Sequence, residues 1–217
     1  MNVEDVKKML SQSVKYPISM EVEGSFAMFA RGDTGSEKTT YEVIPFGPSK
    51  GIFESILYMP NVFVVPYKTE ICSSIEYQSY AFNYRGYLRK SILIKNDNSC
   101  QIRCTILRNV IYRLYAFAIS DKTYENDLKI NQAHSYQAQF NKRLVKGRNY
   151  RQPNLGWSEF LCSYYGVFRQ STKVQTHLNF TIPSLLFSCF DRLNKGSYNP
   201  SFLTSVEVKE GVVYYVK

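Results

Sequence analysis

A strand, a helix, several strands, one long strand, a second helix and a closing strand follow one another through residue 168. This order predicts an α+β fold of the split βαβ kind, a ferredoxin-like or RRM-like domain. Two observations support it. Residues 101–119, QIRCTILRNVIYRLYAFAI, are rich in β-branched and aromatic side chains and contain no Gly or Pro, so they should form a long central strand. Residues 177–190 and 203–216 are again β-like and predict a small C-terminal antiparallel β unit. The expected organisation is an N-terminal extension over 1–13, a main domain over 14–168 and the β unit over 169–217.

Taken in order, Val3, Val6, Met9 and Leu10 recur at helical spacing and predict a short amphipathic helix over 3–12. In residues 18–29, Ile18, Met20 and Val22 alternate with polar residues, a strand pattern in which Gly24 is expected to mark a bulge. After the polar loop RGDTGSEKTTYE, whose Arg31-Gly32-Asp33 reads as a turn, Pro48 and Ser49 open a helix with Ile52, Phe53, Ile56 and Leu57 on one face. Pro60 ends it. Residues 62–65 and 70–77 read as two strands, and 80–90, with Arg85, Arg89 and Lys90 around Gly86, as an aromatic and basic hairpin. The second long helix spans 132–145 and is closed by Gly147. Pro153 and Gly156 mark the start of extended chain over 155–168, and the loop DRLNKGSYNPS separates the last two β-like stretches.

A hydrophobic content of 44% with 18 Tyr and 14 Phe excludes a disordered chain. No apolar run approaches the roughly 20 residues a bilayer-spanning helix needs. The first residues carry Glu4 and Asp5 before their lysines and lack the apolar core of a signal peptide. Five cysteines, an odd number without repeating spacing, fit reduced cytoplasmic thiols better than a disulfide framework. Cys100 and Cys104 have no second Cys or His pair at zinc-finger distance, so no metal site and no cofactor is expected.

The net charge of +9 is focused. Between Asp127 and Glu159 there is no acidic residue, while Lys129, Lys142, Arg143, Lys146, Arg148 and Arg151 supply six positive charges. His134, Tyr136, Tyr150 and Trp157 lie among them. Cations with interleaved rings offer phosphate contacts and stacking surfaces together, as single-stranded nucleic acid requires. A solvated basic helix face is the competing reading. Lys50, in the first turn of its expected helix, stands beside backbone N–H groups that favour an anion. Arg108 interrupts the long apolar strand and needs a partner, either a carboxylate or an RNA phosphate.

Three ordered blocks resemble the Cas-five family of CRISPR-associated proteins, in particular its d-type (Dvulg) members from subtype I-C Cascade complexes. They are GSFAMF with SEKTTYEV and PSKGIFESILYMP; RCTILRNVIY; and FNKRLVKGRNYRQPNLGWSEF. EVKEGVVYYV is similar to the family's last hairpin. The resemblance implies a RAMP-type, RRM-like protein that grips the 5′ repeat-derived handle of a CRISPR RNA. Its partners would be the Cascade backbone and large subunits, with target DNA met only through the complex. It also implies metal-independent cleavage of precursor RNA, in which a ribose 2′-OH attacks the adjacent phosphate to leave a 2′,3′-cyclic phosphate. A handle-capping subunit with a decayed nuclease site is the alternative. Family members that cleave carry a Tyr at the end of the glycine-anchored helix and a Lys-His pair beginning the basic helix. A gapless alignment puts Leu57 at the first position, with Tyr58 beside it, and Ser135 and Tyr136 at the pair, with His134 just before. The candidate catalytic residues are therefore His134, Tyr136 and Tyr58. The candidate RNA-binding residues are Lys50, Arg108, Lys142, Arg143, Lys146, Arg148, Arg151 and Trp157.

Overall fold

The computed structural model describes residues 3–35, 37–84, 100–121, 131–191 and 196–216. Its elements are α1 (Val3–Gln12), β1 (Tyr16–Ala27), β2 (Lys38–Thr39), α2 (Phe46–Ile56), β3 (Val62–Ile71), β4 (Glu76–Tyr84) and β5 (Cys100–Ser120), followed by α3 (Gln132–Val145), β6 (Tyr164–Gly166), β7 (Phe180–Asp191), β8 (Ser197–Lys209) and β9 (Val212–Tyr214). They build a mixed α/β fold dominated by one antiparallel sheet in the order β6-β1-β5-β3-β9-β8-β7. The long strand is central, as its composition predicted: β5 pairs antiparallel with β1, β3 and β4, and parallel with the short β2.

Several boundaries differ from expectation for local physical reasons. The first long helix begins at Phe46, so Pro48 falls inside its first turn, where a missing N–H costs nothing. The expected strand at 62–65 runs on to Ile71 as one strand, with a register shift between Pro66 and Lys68 where proline cannot donate to the ladder, and the expected strand at 70–77 is divided between the end of β3 and the start of β4. Gly24 is no bulge, because β1 keeps one register with β5 on both sides of it. Its missing Cβ makes room instead for Leu155, whose Cδ1 would lie 2.4 Å from a Cβ there. The stretch 155–168 is a folded loop carrying only the bridge Asn154–Leu161 and β6. Residues 80–84 continue β4, while the rest of the expected basic hairpin, 85–90, lies outside the described residues. Ser197–Lys209 starts inside the expected loop, and the C-terminal strands are not a detached unit: β9 pairs with β3 and joins them to the main sheet.

Both faces of β1 are covered. On one, Ile18, Met20 and Val22 of β1 pack in the main core with Phe53 and Ile56 of α2, Tyr136 and Phe140 of α3, and Val6 and Leu10 of α1. On the other, Glu21 is fully buried and accepts from Arg113 Nε (3.3 Å), Arg169 Nε (2.6 Å), the Arg169 backbone N–H (3.2 Å) and Thr172 Oγ1 (2.8 Å). Arg113 also donates to the Arg169 and Thr172 carbonyls, and Arg169 pairs with Glu23 at 2.6 Å. This knot fastens the turn at 169–172 across the sheet.

Burial pushes the Glu21 carboxyl up, but the bonds from Arg169, Thr172 and Arg113 outweigh it and hold the group below its ordinary value of 4.5. A folded-state pKa below the unfolded one contributes stability that is complete above that ordinary value and is lost as pH falls through the lower folded value. Melting temperature measured against pH should therefore drop steeply in acid for the wild type. Glu21→Gln should flatten that acid limb and, by leaving Arg113 and Arg169 without their carboxylate, cost about 3 kcal/mol at neutral pH.

Candidate nucleic-acid interface

The basic helix occupies the span its sequence predicted. Asn131 caps it by accepting from the His134 backbone N–H (3.1 Å). At the other end Gly147 adopts φ +62°, its N–H donates to Leu144 O (3.2 Å), and Arg148 N–H donates to Arg143 O (2.9 Å). These two bonds form a Schellman closure that turns the chain back on the helix. Lys142 and Arg143 lie in the last turn, where the helix dipole favours cations.

The returning chain docks on the C-terminal turn of α2. Ser55 O accepts from the N–H groups of Tyr150 (2.8 Å) and Arg151 (2.9 Å), and Ile56 O accepts from Arg143 Nη1 (3.0 Å). Tyr165 of β6 holds the same loop, donating to Gly147 O (3.0 Å) and accepting from Asn149 Nδ2 (2.7 Å). The result is two neighbouring grooves. The first, about 630 Å³, is lined by Lys142, Arg143, Lys146 and Arg148 with Gln139, Gly147 and Asn149, with no acidic side chain among the described residues that line it. The second, about 360 Å³, runs between α2 and the loop and is walled by Tyr58, Tyr150 and Arg151.

The structure therefore brings Lys142, Arg143, Lys146, Arg148, Arg151 and Tyr58 to one surface and leaves the other candidates elsewhere. Lys50 is in the second turn of α2, not the first. It pairs with Glu54 four residues on, and its ammonium lies 5.2 Å from the Phe63 ring. Arg108 is half-exposed rather than buried, and its partner is a carboxylate, Glu76, at 3.5 Å. Trp157 does not stand free for stacking: it meets Phe82 edge-on at 5.0 Å and stacks on Phe160 at 6.1 Å, in a cluster that secures the 153–162 loop to the β4–β5 hairpin.

Tyr136 is a core residue. Only 1% of it is exposed, its hydroxyl donates to Leu57 O at 2.7 Å, and burial raises the phenol far above its usual range, so it presents no hydroxyl to a substrate in this conformation. Two residues earlier, about 200° around the helix, His134 is exposed and meets Tyr16 edge-on at 5.6 Å. Its Cα lies about 12 Å along the helix axis from that of Lys142, at the opposite end of α3 from the basic groove. Lys129 lies outside the described residues.

Sequence reading missed the supports of this surface. Tyr165 lies outside every quoted block, Asn149 has no distinguishing feature within the third, and Arg143 reads as one more cation although it ties α3 to α2. Arg143→Ala should cost about 1.5 kcal/mol in a urea titration, the worth of a hydrogen bond from a charged donor. Lys142→Ala, on the same turn but exposed, should change the midpoint little.

The fold is one found in CRISPR-associated proteins. A crystal structure of a CRISPR-associated protein superposes with a TM-score of 0.71 over 95% of both chains at 16% identity. A functionally uncharacterized protein from Streptococcus mutans gives 0.70 over 95% of both at 15%. A chain of a CRISPR RNA-guided surveillance complex gives 0.51 over 92% of both at 10%. By sequence, the chain is similar to the CRISPR pre-crRNA endoribonuclease Cas5d of Mannheimia succiniciproducens, 25% identical over 158 residues, which span 66% of this chain and 69% of that protein. No family model matches the sequence. The resemblance read from the sequence blocks is borne out. No helix among the described residues is long and apolar enough to cross a membrane.

Proposed function

We propose that this chain is the CRISPR RNA-binding subunit of a type I, I-C-like surveillance complex in the cytoplasm. It grips the 5′ repeat-derived handle beside the backbone and large subunits, meets target DNA only through the complex, and processes precursor RNA without metal. The observation that carries this reading is the pair of adjoining grooves at the α2–α3 junction, in which five cations, Lys142, Arg143, Lys146, Arg148 and Arg151, converge next to exposed tyrosines. Cations at this density bind polyanions, and exposed rings select unpaired bases. The order β6-β1-β5-β3, with α2 and α3 as the crossovers, supports a ferredoxin-like, RAMP-type core.

A second reading, handle capping without cleavage, is favoured by one specific observation. Leu57 and Tyr136, at two positions where the resemblance expects catalytic groups, are packed in the core and bonded to each other. If the chain cleaves, His134 is the candidate that offers an exposed imidazole for proton transfer; His177, the other histidine, is exposed too but lies in the 174–179 segment away from α3 in sequence. The two readings separate in one experiment: purified protein is incubated with its repeat RNA in EDTA. Processing predicts a single cut leaving a 2′,3′-cyclic phosphate, abolished by His134→Ala. Binding without any cut, in EDTA or in magnesium, selects the capping role.

A further inference from the structure

We infer that Tyr58 and Tyr150 form a clamp for one unpaired nucleobase of the bound RNA, with the neighbouring phosphate on Arg151. The inference rests on the RNA-binding reading above and adds a subsite to it. The two phenol rings face one groove with centroids 6.5 Å apart and planes 31° from parallel. A base stacked on both faces needs about 3.4 Å on each side, the spacing of successive bases in a stacked strand. The ring separation falls slightly short of twice that spacing, so the two rings must part a little and come parallel to admit one base.

Both rings are available, 54% and 71% exposed. Tyr150 is fixed by its N–H bond to Ser55 O (2.8 Å), and Tyr58 follows Leu57, whose carbonyl is held by the buried Tyr136 hydroxyl (2.7 Å). The clamp is therefore preorganised, and a base entering it orders two side chains and no loop. Charge complementarity selects the occupant. Arg151 lines the groove, the cationic groove of Lys142, Lys146 and Arg148 adjoins it, and the acidic wall residue Glu54 is already paired with Lys50. A strand crossing both grooves sets its phosphates on cations and turns one base between the rings. A base in a duplex cannot enter, so the strand is unpaired where it crosses the clamp.

The test uses full-length protein and repeat RNA carrying 2-aminopurine at successive positions of the handle. One position should be strongly quenched on binding to the wild type. Tyr58→Ala or Tyr150→Ala should restore its fluorescence and weaken Kd about tenfold, with the salt slope unchanged because no charge is lost. Tyr58→Phe and Tyr150→Phe should keep both the quench and the affinity. Quenching that persists in both alanine variants, or a phenylalanine variant as impaired as alanine, overturns the clamp while RNA binding stands. A wild type that binds no repeat RNA overturns the binding reading and the clamp together.

Discussion

Gly156→Ala is expected to cost about 3 kcal/mol or more and to detach the 153–162 loop from β1. Gly156 sits at φ +90°, and a Cβ there would lie 1.9 Å from the Met28 carbonyl oxygen and 2.6 Å from its carbon. Backbone cannot swing aside as a side chain does, because Met28 N–H is itself bonded to Leu155 O at 3.0 Å. The substitution therefore adds a positive-φ penalty of about 1 to 2 kcal/mol to a collision relieved only by breaking that contact. Gly147→Ala supplies the control, since its φ is +62° but nothing lies within 4 Å of a Cβ there. Urea unfolding should show Gly147→Ala losing about 1 kcal/mol and Gly156→Ala at least twice that. Equal costs would show that the close approach to Met28 does not constrain the loop.

The second large effect falls on RNA. Lys142, Lys146 and Arg148 are exposed around the first groove, whereas Arg143 is engaged with Ile56 O. The triple replacement of those three by Ala should leave the fold intact and weaken repeat RNA binding at least about tenfold at low salt. Three lost phosphate contacts on a single strand should also reduce the slope of log affinity against log salt by about 2. Arg143→Ala, by contrast, should lower stability with a smaller change of slope. Equilibrium binding at four or five salt concentrations measures both. A triple variant with the wild-type slope would place the RNA elsewhere.

What the sequence made legible was whatever is local. Gln132–Val145 has the expected limits because Asn131 and Gly147 are strong end signals written within one turn of the helix. The long β5 announced itself by composition. The arrangement of basic side chains was also readable, since consecutive turns of one helix and the chain after it carry them.

What escaped depends on partners far apart in sequence. Glu21 and Arg169 are 148 residues apart, and nothing near Glu21 marks it for burial. Trp157 looked like a stacking platform because Phe82, which holds it, lies in another block. Gly24 looked like a bulge because the filler of its empty Cβ position is Leu155. Tyr136 is different, since its burial was readable: Ala133, Tyr136, Phe140 and Leu144 recur at spacings of three and four and form the buried stripe of α3. Lys50 with Glu54 at i, i+4 was likewise a visible ion pair.

The central claim is that RNA lies across the junction of α2, α3 and the 147–151 turn. Ultraviolet cross-linking of the full-length protein to its repeat RNA, followed by peptide mass spectrometry, tests it most directly. Cross-links should map to Tyr58, Tyr150 and the peptides spanning 142–151. Cross-links confined to β7 and β8, with none at that junction, would contradict the account.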